Sequence, residues 1–239
     1  MKNDTPNIIY GRNPVKEALR AGRVTKIYIA NGFSDKEINP LFNEYKPYIK
    51  VVSNNELLSK SSGGVHQGIV AEVKPYEYLD LDEIIRRSRK VEVPIILLLD
   101  GINDTHNLGA ILRCSDVFNV SGVLLPKHNS VQLNSTVAKA SAGAINYVPV
   151  ALISSVNQTI QKLKDNGFWI VSTDGSATID YSKLKYDFPI CLVIGSEGKG
   201  VSPLVVKNSD YVVKIPQYGH VNSLNASVAA GILLSRIRS

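Results

Sequence analysis

Five stretches after residue 93 are apolar almost without a break: "PIILLLD" from Pro94, "SGVLLP" from Ser121, "FWIVST" from Phe168, "PICLVIG" from Pro189 and "YVVKIP" from Tyr211. A strand wetted on one side alternates apolar and polar residues. A strand that is apolar at every position needs cover on both sides, as in a mainly parallel sheet. The stretches between them, 107–119, 134–142, 154–166 and 223–236, read as helices. Strands alternating with helices predict an α/β domain with helices on both faces of the sheet. In such sheets ligands gather at the carboxyl ends of the strands, which directs attention to the loops after Asp100, Ile194 and Ile215.

The chain before this region is organised differently. "NIIYG", "KIYIA" and "QGIVAEVK" read as strands. "NPVKEALRAG" reads as a helix with Asn13 as cap, Pro14 at its first position and Gly22 as its stop. "SDKEINPLFNEYK" is a second helix candidate, interrupted at Pro40. Residues 1–76 therefore form a small α/β unit. Residues 77–93 have little core material and carry the basic patch Arg86, Arg87, Arg89 and Lys90, a linker or bridging helix whose charges are either solvated or held for a polyanion. The larger domain spans 94–239.

Lys and Arg outnumber Asp and Glu by 27 to 21, a net charge of +6. That balance is compatible with nucleic acid without requiring it. Cys114 and Cys191 lie in apolar runs without CxxC spacing, which predicts buried free thiols. No apolar run approaches the roughly 18 residues of a membrane span, and the opening "MKNDTPNIIYGRNP" has no apolar signal core. A cytoplasmic protein is expected, with no membrane partner. No His, Cys, Asp and Glu spacing has metal character, so no metal site is expected.

Three stretches carry candidate chemistry. The loop Gly195-Ser196-Glu197-Gly198-Lys199-Gly200 has three glycines in six residues, so its backbone can approach a ligand closely. It is neither a Walker loop, since Val201 stands where lysine is required, nor GxGxxG, and Glu197 would repel a phosphate. A tight turn before a helix is the plainer alternative. In "DGINDTHNLGAILRCSDVFNV", Leu108, Ile111, Leu112 and Phe118 form a core face. Asn107 either caps this helix or serves a site. Arg113 either pairs with Asp116 or serves a site, and His106 reads as a loop histidine. In "HVNSLNASVAAGILL", Asn222, Ser223, Asn225 and Ser227 crowd a helix start that one cap would satisfy. Ser223 and Asn225 stand beside its free N–H groups, while Ser227 reads as packing. Ala226, Ala229, Ala230 and Gly231 permit close approach of another backbone.

Taken together, these stretches resemble the SpoU (TrmH-like) branch of the SPOUT RNA 2′-O-ribose methyltransferases. Asn107-Leu-Gly109-Ala-Ile-Leu-Arg113 matches the family's N-x-G-x-x-x-R, Gly195, Glu197, Gly198 and Gly200 match G-x-E-G-x-G, and Ser223-Leu224-Asn225-Ala-Ser227-Val-Ala229 matches S-L-N-x-S-x-A. "AKASAGAINYVPV" is similar to the small-residue stretch between the first two motifs. "YGRNPVKEAL" and "GGVHQGIVAEV" resemble the N-terminal, ribosomal-protein-like RNA-binding domain of the bacterial 23S rRNA guanosine 2′-O-methyltransferase subgroup.

The resemblance implies a trefoil-knotted α/β domain, S-adenosylmethionine as cofactor, RNA as substrate and a homodimer formed through the C-terminal domain. Ribosomal RNA is favoured over tRNA. It implies catalytic or positioning roles for Arg113, Asn107, Glu197, Ser223 and Asn225, with Arg113 as proton acceptor or electrostatic stabiliser. Gly195, Gly198, Gly200, Ile194, Ile215 and Leu224 would hold the cofactor. Arg12, Lys16, Arg20, Arg23 and His66, with Lys60, would contact the RNA backbone. The competing readings are a tRNA methyltransferase and a non-catalytic RNA-binding or ribosome-assembly protein of the same fold. A nicotinamide-dependent oxidoreductase would need an early GxGxxG, which is absent.

Overall fold

The computed structural model describes residues 7–221 and 223–239; Asn222, singled out in the last motif, lies outside them. Contacts divide the chain into two units, Met1–Tyr76 with Leu133–Tyr147, and Glu77–Gln132 with Val148–Ser239.

The first unit contains β1 (Asn7–Tyr10), α1 (Arg12–Arg20), β2 (Val24–Ala30), β3 (Ile49–Val52), α2 (Asn54–Lys60) and β4 (Ile69–Val73). Its sheet has the order β1-β4-β2-β3. The β1/β4 and β2/β4 pairs are antiparallel and β2/β3 is parallel. The helix predicted with Asn13 as cap begins earlier. Gly11, at φ +92°, is the cap residue, so Asn13 lies within the first turn. Gly22 adopts φ +64° just past the helix end, the left-handed geometry that stops a helix. The second predicted helix forms only 3-10 turns over Asn39–Glu44 and Lys46–Tyr48, each with a proline in its first two positions. Two prolines seven residues apart remove the N–H donors that a continuous α-helix would need.

In the second unit come α3 (Leu81–Ser88), β5 (Ile95–Asp100), α4 (Thr105–Val117) and β6 (Gly122–Pro126). The chain then gives α5 (Ser135–Ala140) to the first unit, where Lys139 Nζ lies 5.0 Å from the centre of the Tyr10 ring. It returns through β7 (Val150–Ile153), α6 (Val156–Asp165), β8 (Trp169–Thr173), β9 (Ile179–Asp180), β10 (Ile190–Gly195), α7 (Pro203–Lys207), β11 (Tyr211–Lys214) and α8 (Ala226–Ile237). All five predicted apolar strands form. They join a seven-stranded sheet of order β7-β6-β5-β10-β8-β11-β9, in which every described pair is parallel.

The continuous apolar runs have the cover they require. Ile96 and Leu98 pack with Ile84 of α3, Ile160 of α6 and Val205 of α7. Ile95, Leu97 and Leu99, which point to the opposite face, are equally inaccessible. Residues 77–93, read as a linker, are therefore partly core: Ile84 and Ile85 of α3 are buried. Cys191 is buried and Cys114 half-buried, both free thiols. Among the described residues no helix is long and apolar enough to cross a membrane.

Candidate functional site

β5 and β10 are neighbours, with Asp100 opposite Gly195 in register. The chain leaves β5 for one half of the sheet and enters β10 from the other, so the crevice at their carboxyl ends is a topological switch point. Asp104 Oδ1 accepts from His106 N at 2.8 Å and caps α4. Asn107 is thus released from the capping role that the sequence also allowed. It is buried in the first turn, and its Nδ2 donates to Glu197 Oε1 at 2.9 Å.

Asn225 completes the group. Its Nδ2 donates to Asn107 Oδ1 at 2.8 Å and also to Glu197 Oε1. Its Oδ1 accepts from Ser227 N at 2.9 Å, from Ser227 Oγ at 2.6 Å and from Val228 N at 3.3 Å. One side chain therefore caps α8 and joins the cluster. Ser227, read as packing, fixes which end of the Asn225 amide faces the cluster. Its position two residues beyond an N-cap asparagine was the signal that could have shown this.

The loop after β10 folds back on itself. Gly200 N donates to Ser196 O at 2.9 Å, and Gly198 and Gly200 take φ +79° and +66°. A Cβ on Gly195 would stand 2.0 Å from Gly200 C and 2.2 Å from Val201 N. Asp100 Oδ2 accepts from Ser202 N at 2.9 Å and ties the loop's far end to β5. Sequence reasoning passed over Asp100 except as a strand end.

Beside this loop is a cavity of about 290 Å³, a size suited to a small molecule. Ile194, Gly195, Gly198, Gly200, Ile215 and Leu224 all line it, as do Glu197 and Ser223. Four glycines, two serines and two alanines are among the residues that line it. Its charged groups are two carboxylates, Asp174 and Glu197, and two lysines, Lys199 and Lys214. Among the described residues no arginine lines it, while Ala226 and Ala229 from the first turn of α8 do. With acids and lysines balanced, the wall has no excess of positive charge for a polyphosphate, and its two carboxylates can accept from a nucleoside or face a cationic group.

Residues 94–235 match the family described as the SpoU rRNA Methylase family, and residues 8–79 match the one described as RNA 2'-O ribose methyltransferase substrate binding. A Staphylococcus aureus (strain MSSA476) protein named as a TrmH family tRNA/rRNA methyltransferase is 43% identical over 234 residues, 96% of this chain and 94% of its own. The chain belongs to the SpoU methylase family. Two solved structures are similar to this SpoU methylase. The SpoU methyltransferase AviRb from Streptomyces viridochromogenes, in complex with the cofactor AdoMet, aligns with a TM-score of 0.80 at 23% identity, over 97% of this chain and 88% of its own. The A. aeolicus TrmH/SpoU tRNA modifying enzyme aligns with a TM-score of 0.56 at 30% identity, over 66% of this chain and 82% of its own.

In this SpoU methylase one residue of each motif joins the cluster, but the first motif contributes Asn107 without Arg113. Asn107, Glu197 and Asn225 meet, whereas Arg113 does not join them. Six residues along an α-helix rotate a side chain about 240°, so Arg113 leaves α4 on another face from Asn107. It is exposed, and among the described residues it makes no hydrogen bond or ion pair. The surface pair with Asp116 that the sequence allowed does not form.

The basic residues expected to meet RNA are engaged within the first unit. Arg12 pairs with Asp35 at 3.1 Å, Lys16 with Glu37, and Arg20 with Glu17 at 2.9 Å. Arg23 donates to the carbonyls of Lys74 and Pro75 at 2.7 and 2.9 Å over the ring of Tyr76. Lys60 Nζ lies 4.1 Å from the centre of the Tyr28 ring. His66 Nδ1 accepts from Gly68 N at 3.1 Å. Arg23 thus has a structural role, and the exposed pairs are of the weak, exchangeable kind. Among the described residues no cluster of three or more His, Cys, Asp or Glu side chains could hold a metal ion.

Proposed function

We propose that this SpoU methylase transfers a methyl group from S-adenosylmethionine to a ribose 2′-hydroxyl of RNA, with a guanosine of 23S ribosomal RNA as target. The observation that carries this reading is the Asn107–Glu197–Asn225 cluster beside a cavity lined by every residue expected to hold the cofactor. The bound cofactor supplies an already electrophilic methyl on a sulfonium. The chain must then align a weakly acidic hydroxyl and help remove its proton.

Asn107, Asn225 and Glu197 are held by one another, so they lose little freedom when they orient a substrate group. Ser223, on the cavity wall, adds an uncharged donor and acceptor. Arg113 is the group we assign to the hydroxyl, either as proton acceptor or as the cation that stabilises the developing alkoxide. That it makes no hydrogen bond or ion pair among the described residues supports that role. The small residues of α8 and exposed Val228 support a homodimer through the second unit. The insertion of β10 between β5 and β8, with α8 returning to pack on α4 and β10, supports the knotted path.

The substrate-binding family match and the rRNA designation of the methylase family support ribosomal RNA. The 30% identity to a tRNA modifying enzyme favours tRNA as the second reading. Mapping 2′-O-methyl positions in cellular RNA with and without this protein tests both. Loss of one guanosine mark in 23S RNA is expected, and loss of a tRNA mark instead selects the second reading. If no mark is lost and no labelled methyl is transferred, the chain is a non-catalytic RNA-binding protein.

A further inference from the structure

Two charged groups on the cavity wall, Asp174 and Lys214, belong to none of the three motifs, and Asp174 is the acid of the two. Asp174 follows β8, the strand beyond β10, and lines the cavity with Thr173 and Gly175. Its backbone N–H donates to Val213 O at 3.0 Å, tying it to β11. Its Oδ1 accepts from Ser176 N at 2.7 Å and from Ser176 Oγ at 2.6 Å, which uses both lone pairs of that oxygen and fixes the side chain. These hydrogen bonds also hold the carboxyl below the usual carboxylate range. Oδ2 has no hydrogen-bond donor among the described residues, so a fixed, ionised acceptor stands on the wall with one oxygen unused.

On the reading that the cavity takes S-adenosylmethionine, we propose that Asp174 Oδ2 accepts the hydroxyls of the cofactor's ribose and is the residue that selects a ribonucleoside. The motif cluster, with Asn107 after β5 and Glu197 after β10, marks the end of the cavity where the methyl must be delivered. Asp174 stands one strand further on, at the side away from β5. The group on the nucleoside side of the sulfur is the ribose, whose vicinal hydroxyls are donors. The cofactor's own carboxylate would be repelled at this position. An acid on a strand's carboxyl end binding a ribose diol is also the solution that dinucleotide-binding sheets use.

The test is calorimetric titration of S-adenosylhomocysteine, S-adenosylmethionine and the 2′-deoxy analogue of S-adenosylhomocysteine into the full chain and into Asp174→Asn. Asparagine retains the oxygen that Ser176 binds, so the turn survives. The variant is expected to bind both natural ligands about ten-fold or more weakly, the loss of one hydrogen bond to a charged acceptor. The deoxy analogue should be weakened against the wild-type chain and lose nothing further in the variant. Unchanged affinity in Asp174→Asn, an equal deoxy penalty in both chains, or a loss confined to the sulfonium ligand would overturn the proposal. Failure of the wild-type chain to bind S-adenosylhomocysteine at all would instead remove the cofactor reading on which it rests.

Discussion

Asn225 Nδ2 reaches Asn107 Oδ1 at 2.8 Å, joining residues 118 positions apart in the chain. The same side chain caps α8 through its oxygen. Helix stability and site geometry are therefore coupled at one residue. Asn225→Ala should cost about 1 kcal/mol for the cap and a further 1–3 kcal/mol, roughly, for the buried Asn107 left short of a partner. Asn225→Asp keeps the capping acceptor but places a carboxylate against Glu197. It should regain the roughly 1 kcal/mol of the cap relative to the alanine variant, still leave Asn107 Oδ1 without its donor, and lose methyl transfer by about a hundred-fold. Calorimetric melting and labelled methyl incorporation on the two variants check this, and parallel losses in both quantities would show that the cap alone matters.

Arg113 presents the opposite case, an exposed cation with no hydrogen bond or ion pair among the described residues. Arg113→Ala should change stability by no more than about 0.5 kcal/mol, as for a surface residue outside any network. It should leave S-adenosylhomocysteine affinity unchanged and abolish methyl transfer. Undiminished turnover would remove Arg113 from the reaction.

Gly195 tests the glycine loop. A methyl group there would overlap Gly200 and Val201 backbone at 2.0–2.2 Å, which no rotamer change can relieve. Gly195→Ala should therefore cost about 3 kcal/mol or more and eliminate cofactor binding. Gly219→Ala, with nothing within 4 Å of the added carbon, is the control and should melt unchanged. Equal melting temperatures for both variants would contradict the folded-back loop.

The strands were legible because burial on both faces leaves apolar residues at every position, a local signature of a nonlocal fact. "PIILLLD" and "PICLVIG" became β5 and β10, and the site lies where the sheet rule directs. Asn107 was ambiguous in the sequence because an asparagine near a helix start satisfies two rules; Asp104 resolves it by taking the cap. The second helix candidate, 34–46, gives way to 3-10 turns: Pro40 interrupts it as inferred, and Pro47 just past its end starts a separate turn. Residues 133–147 were assigned to the larger domain by chain order. They pack in the first unit, where Tyr147 Oη donates to Glu17 Oε2 at 2.8 Å, a relationship spanning 130 positions. The ion pairs that engage Arg12 and Lys16 with Asp35 and Glu37 were invisible for the same reason: nothing local records which acid lies opposite a given base.

Two tyrosines give the fold a dependence on alkaline pH. Burial pushes the phenols of Tyr76 and Tyr186 up to about 12, and Tyr186 Oη donates to Tyr181 O at 2.9 Å. In the unfolded chain these phenols ionise near pH 10, about their ordinary value. Their pKa values are raised by folding, so between those limits the folded state holds protons that the unfolded state has released. Their contribution to stability is complete below pH 10 and is lost as pH rises toward about 12. Phenolate absorbance of the native protein, which has 11 tyrosines, should show a late step near pH 12 that disappears in denaturant. Tyr76→Phe should reduce that step and flatten the loss of melting temperature over the same range. A single wave of ionisation near pH 10 in the native protein would show that neither phenol is shielded as the structure places it.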